Sequence, residues 1–174
     1  MNRKVILYIA TSLDGYIARK SGEVDFLKGD GSEPGIDIGY NDFYKNIDTV
    51  IMGNKTYSQI MGWGEYPYKG TKGYVYTRKD LRNDENVTFT NEDPKSLIEK
   101  LKSKEGKDIW LIGGANILDS FIKEDLVDEY IIAVMPIVLG SGIPLFKENE
   151  REIKLKLKES KAFDGIVQNH YVKR

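Results

Sequence analysis

The stretch "IWLIGGANIL", residues 109–118, decides how the rest of the chain reads. Ile109 to Ile112 form a continuous apolar run, the pattern of a strand buried on both faces. Gly113 and Gly114 follow, and a helix-compatible segment begins at once with Ala115, Asn116 and Ile117. Two residues without side chains at a strand-to-helix junction let bare backbone approach another molecule closely. The helix start behind them points free N–H groups at any anion there.

Outward from this junction the chain alternates in the same way. Val5 to Ala10 reads as a first buried strand closed by Gly15, and Ser21 to Gly39 as a long loop rich in glycine. Phe43, Tyr44 and Ile47 are spaced as one helical face, and Val50 to Met52 as a short strand ending at Gly53. A helix is expected over 55–61, and strands over 74–76 and 87–89. Asp93 before Pro94 predicts a helix start, because the carboxylate can accept from free amides and proline has no N–H to leave unpaired. Gly106 is expected to stop that helix. A strand at 109–112, a helix at 115–123 and a strand at 130–135 follow, and the alternation at Ile153, Leu155, Leu157, Ile166 and Val172 predicts two antiparallel strands. The fold class is therefore α/β: a mixed, mostly parallel sheet with antiparallel C-terminal strands and helices on both faces.

The chain has 174 residues, the size of one domain, and a single domain over 1–174 is expected. Formal net charge is -1 with 30% charged residues, so there is no electrostatic footprint for nucleic acid or an anionic membrane. The expected partner is a small molecule. No cysteine is present and His170 is the one histidine, which excludes thiolate chemistry and makes a metal site unexpected. No apolar run approaches the ~20 residues of a membrane span, and a soluble cytoplasmic protein is expected.

In an open α/β sheet, ligands sit beyond the carboxyl ends of the strands. Gly53, which opens "NKTYSQI", and the Gly113–Gly114 pair both have that address and read as cradles for a phosphate-bearing ligand. Familiar phosphate motifs do not fit. "GNKT" resembles the end of a P-loop, but Thr49 stands where the earlier turn needs glycine, and "GDGSEPG" at 29–35 misses the dinucleotide fingerprint and follows no strand.

Five blocks in order carry a family resemblance: "TSLDGYIA", "VIMGNKTY", "YVYTRK", "IWLIGGANILDSF" and "PIVLGSGIPLF". Together they resemble the dihydrofolate reductase superfamily. They are most similar to its branch containing the reductase half of the bifunctional riboflavin-biosynthesis deaminase-reductase. The resemblance implies an NADPH-dependent reductase with an eight-stranded mixed sheet, and a cis peptide in the glycine pair. It further implies that Ala10 offers backbone to the nicotinamide carboxamide and that the loop carrying Leu13, Gly15 and Ile17 folds over the ring. Gly53, Asn54, Lys55 and Thr56, then Thr77, Arg78 and Lys79, and finally Ile112 to Ile117 would hold the rest of the cofactor. Asn54 stands where many relatives have an arginine for the 2′-phosphate, while Lys55, Arg78 and Lys79 are cations in the matching blocks; NADPH is favoured over NADH.

Reduction also needs a proton source. By the resemblance it is a carboxylate ahead of the "VIMG" strand, at Asp37 or alternatively Asp42, and Glu129 matches the glutamate of a "DE" pair in the riboflavin branch. Asp42 also reads as a solvated helix residue and Glu129 as a strand-edge charge. Tyr8 replaces that branch's first-strand lysine, and Ile132 stands where a folate enzyme has its pterin-contacting threonine. Trp63, Tyr66 and Tyr68 read either as a pocket wall or as packing, Trp110 as core, and His170, with no serine or carboxylate pattern near it in the sequence, as a structural or surface residue rather than a base. The resemblance also makes a homodimer through the C-terminal strands an expectation.

Overall fold

The structure is a computed structural model and describes residues 3–33, 35, 37, 39–79, 81–148 and 152–174. Its elements run β1 Val5–Thr11, β2 Tyr16–Ala18, α1 Tyr40–Lys45, β3 Ile47–Gly53, α2 Asn54–Gly62, β4 Lys72–Tyr76 and β5 Val87–Thr90. They continue α3 Pro94–Lys102, β6 Asp108–Gly113, α4 Ala115–Lys123, β7 Glu129–Val134, β8 Ile143–Pro144, β9 Leu155–Phe163 and β10 Ile166–Lys173. Eight strands form one sheet in the order β5-β4-β3-β6-β1-β7-β10-β9. The first six pair in parallel, and β10 runs antiparallel to both β7 and β9. The expected sheet is thus the observed one.

The central strands are apolar on both faces because each face is covered. On one side α3 and α4 lay Leu97, Leu101, Leu118 and Phe121 against Val5, Leu7, Ile109 and Leu111. On the other, α1 and α2 bring Phe43, Tyr44 and Ile60 onto Val50, Met52 and Trp110. Phe121 is fully buried, worth ~1.5–3 kcal/mol relative to exposure. No described helix is long and apolar enough to cross a membrane.

Three local readings change. Ile47 belongs to β3, not to the face of α1: it is buried and pairs with Asp108 of β6, which its branched side chain suits. Helix α3 ends at Lys102 rather than Gly106, with Ser103 as its C-cap, while the predicted start holds: Asp93 accepts from the Ser96 amide at 3.0 Å. The short pair β2–β8 carries too little periodicity to be read in the sequence.

Candidate active site

At the carboxyl ends of β3 and β6 the two glycine sites meet. The Gly113–Gly114 peptide is cis, and Gly113 has φ of 113°, a region glycine adopts freely. The Gly114 amide donates to the Thr56 hydroxyl at 3.1 Å, tying the first turn of α2 to the start of α4. A Cβ on Gly114 would lie 3.2 Å from that hydroxyl, so a side chain there is resisted by the protein itself. At Gly53 a Cβ would meet only Ile117 Cγ2 at 3.9 Å, so nothing within the chain demands glycine.

Neither α2 nor α4 has a side-chain cap at its N-terminus. Their first amides are therefore turned toward whatever lies beyond the sheet. Ala115 and Ile117 bury their side chains and offer only backbone, whereas Asn116 is exposed and accepts from Lys147 Nζ at 2.6 Å. Lys55, Arg78 and Lys79 are exposed on the same rim, Thr77 follows β4 beside them, and none of the three cations makes an ion pair among the described residues. Two bare helix starts with cations beside them fit a dinucleotide diphosphate and an additional phosphate.

The blocks "TSLDGYIA" and "PIVLGSGIPLF" prove to be one unit. Asp14 accepts from the amides of Leu139 and Gly140 at 3.0 and 2.7 Å and from the Ser12 hydroxyl at 2.6 Å, contacts that hold its carboxyl below the usual range. Leu13 donates its amide to Ile137 O at 2.7 Å, and β2 pairs with β8. This clasp holds Gly15 and Ile17 in place and leaves Leu13 67% exposed at the tip, beside the end of β1.

Below that end lies a sheet face whose residues the registers set in rows. Ala10, Ala133 and Gln168 share one row, Tyr8, Ile131 and His170 the next, and Ile6, Glu129 and Val172 the third. An aromatic wall closes one side. Tyr8 packs edge-on to Phe43 at 4.7 Å between centroids, and Trp110 lies within 5.9 Å of Tyr40, Phe43 and Tyr68. Trp110 is buried and its Nε1 donates to Tyr8 O at 3.0 Å, while Trp63 is exposed and Tyr66 and Tyr68 are packed inside.

The polar groups of this face are already committed. The Tyr8 hydroxyl donates to Gln168 Oε1 at 3.0 Å; burial, then the charges of Asp37 and Tyr40, push it up to about 12. Asp37 accepts from the amides of Gly39, Tyr40 and Asn41 and from Asn41 Nδ2 at 2.6 Å, so it caps α1. Desolvation pushes its carboxyl up, but those donors outweigh it and hold the group below the usual carboxylate range. Asp42 is exposed and pairs with Lys45.

Glu129 is buried, and His170 Nε2 lies 2.6 Å from its Oε2, with Lys4 Nζ 2.5 Å from Oε1. Burial pushes this carboxyl up; the bonds from Lys4 and His170 and the charge of Lys158 prevail and hold it low. The fold thus gives His170 a carboxylate partner from another strand that its own sequence neighbourhood does not show. Ile132 packs toward the α4 side, and Ile131 and Ala133 line this face. Asp37, Glu129 and Ala10 share the face, although Glu129 lies two rows below Ala10. Sequence reasoning missed Gln168 and the role of Ser12 and Asp14, the latter despite their place in a recognisable block.

The sequence profile of the RibD C-terminal domain family matches residues 3–168. The chain belongs to the RibD C-terminal domain family. Within the curated proteins it is 48% identical to the uncharacterized protein YwjB of Bacillus subtilis (strain 168), over 99% of each chain. A crystal structure of a Shewanella sp. PV-4 protein provisionally assigned to riboflavin biosynthesis is 29% identical, with TM-score 0.87 over 98% of this chain and 99% of that one. Dihydrofolate reductase from Enterococcus faecalis, solved with NADP(H), is 14% identical with TM-score 0.67 over 100% and 98%. That last likeness concerns the fold, which is of dihydrofolate reductase type. Membership in the RibD C-terminal domain family supports an oxidoreductase of the reductase type.

Proposed function

We propose that this member of the RibD C-terminal domain family is an NADPH-dependent reductase. Its substrate is a small heterocyclic or sugar-linked molecule, most like 5-amino-6-(5-phosphoribosylamino)uracil. The observation that carries this reading is the bond from the Gly114 amide to the Thr56 hydroxyl, which joins two uncapped helix starts into one phosphate cradle. The cofactor would supply the hydride; the protein supplies placement and exclusion of water. Amides of Ala115 to Ile117 and of the first turn of α2 would bind the diphosphate, against the bare backbone of Gly113 and Gly114. Lys55, Arg78 and Lys79 are the cations for a 2′-phosphate. Ala10 and the clasped loop at Leu13 would bracket the reactive ring above the aromatic face.

A flat substrate ring would stack beside Tyr8, Tyr40 and Phe43 and meet polar groups at Tyr8 and Gln168. The decisive experiment is an NADPH titration followed by turnover with the aminopyrimidine ribosyl phosphate and with dihydrofolate. Micromolar NADPH binding with oxidation by the first substrate is expected. Oxidation by dihydrofolate alone would assign a folate enzyme, and binding without turnover a dinucleotide binder. We propose in addition that two copies associate through the C-terminal strands, because β9 is exposed along nearly its whole length and displays Leu157.

A further inference from the structure

The face below Ala10 needs a proton source, and three of its candidates are poorly placed to serve. Asp37 is spent on four N–H donors that favour its ionised form, and Tyr8 gives its hydrogen to Gln168. Glu129 is also held ionised by its cationic neighbours. A carboxylate in that state only accepts hydrogen bonds. The proton between Glu129 Oε2 and His170 Nε2 therefore resides on the imidazole, and Glu129 fixes the ring so that Nδ1 is the nitrogen at which a proton comes and goes. Nδ1 makes no hydrogen bond among the described residues, and the His170 side chain is 16% exposed.

Position agrees with chemistry. His170 shares a row with Tyr8 across Ile131 and stands one row below Ala10. With strands about 4.8 Å apart and about 3.3 Å per residue, its Cα lies about 12 Å from that of Ala10. A single flat ring and two side-chain lengths span that gap.

We propose that His170, oriented by Glu129, is the proton donor of the reduction. The inference rests on the reductase reading. Hydride adds to the carbon of a substrate C=N or C=O bond, the π pair moves onto the heteroatom, and the Nδ1–H proton goes to that heteroatom. The imidazolium becomes neutral imidazole, still bonded to Glu129 through Nε2–H, and regains its proton from water. NADPH is oxidised to NADP+ and the substrate is reduced by two electrons. The charged groups facing the pair are Lys4, just ahead of β1, and Lys158 and Glu159 from β9.

Because His170 is the only histidine, 15N-histidine labelling yields one ring to observe. The neutral ring is expected as the Nε2–H tautomer. His170→Gln keeps an N–H for Glu129 but cannot titrate. It is expected to bind NADPH within about two-fold of wild type while kcat falls about 100-fold or more and the loss of kcat at rising pH disappears. A neutral ring protonated at Nδ1, or a His170→Gln enzyme with wild-type kcat and pH profile, would overturn the assignment. Wild-type protein that binds no NADPH would instead overturn the reductase reading. If NADPH binds and no substrate in the panel turns over, the tautomer alone decides.

Discussion

The Thr56 hydroxyl, in the first turn of α2, accepts from the Gly114 amide at 3.1 Å, so two strand-to-helix turns from different strands are held as one body. Neither loop is positioned by its own sequence alone. The register of β3 against β6 brings them together.

That bond makes Thr56 a test of the cradle. Thr56→Val keeps the shape and removes the acceptor, and NADPH affinity is expected to fall about ten-fold, near the ~1.5 kcal/mol of a polar contact. Gly114→Val is expected to abolish binding while the sheet remains folded by circular dichroism, since its Cβ alone would crowd Thr56. Unchanged affinity in both variants, read by NADPH fluorescence, would contradict a cofactor at this place.

Cofactor choice should depend on the rim. Arg78→Ala and Lys79→Ala together are expected to weaken NADPH at least ten-fold and NADH less than two-fold, because only the former carries a 2′-phosphate. The effect should shrink as salt is raised, as exposed charges are screened. Equal losses for both dinucleotides would place the 2′-position elsewhere.

Asp37 caps α1, and its folded carboxyl lies below the unfolded value. A depressed group contributes stability that is present above the unfolded value near 4 and is lost as pH falls through the folded one. Asp37→Asn should therefore lower stability at neutral pH and flatten the acid side of a melting-temperature profile. If Asp37 were instead the proton donor, kcat would collapse with the melting temperature unchanged.

Association through β9 predicts a dependence on Leu157, which is half exposed on that edge. Leu157→Asp is expected to shift sedimentation toward the single chain. The same mass for both proteins would rule this surface out.

Much of the cradle was legible because its reasons are local. A glycine pair after an apolar run, and a helix starting directly behind it, signal an uncapped helix end wherever they occur. Asp93 and Pro94 announced α3 in the same way. Helix α1 was harder: Phe43, Tyr44 and Ile47 share a helical spacing, yet Ile47 pairs in the sheet because the helix already ends at Lys45, with Asn46 as its C-cap. The face that Ile132 takes was not legible for a related reason. One residue of register along a strand reverses the face, and the sequence does not show which neighbour sets it.

Local chemistry in the chain determined the strands, the caps and the bare backbone at the sheet-to-helix turns, since each depends on residues within a few positions of one another. Tertiary structure decided what shares the face below Ala10: Tyr8 meets Gln168 across 160 positions and Glu129 meets His170 across 41. An antiparallel last strand laid beside β7 makes both contacts, and pairing between distant strands leaves no mark in the spacing of the residues it unites.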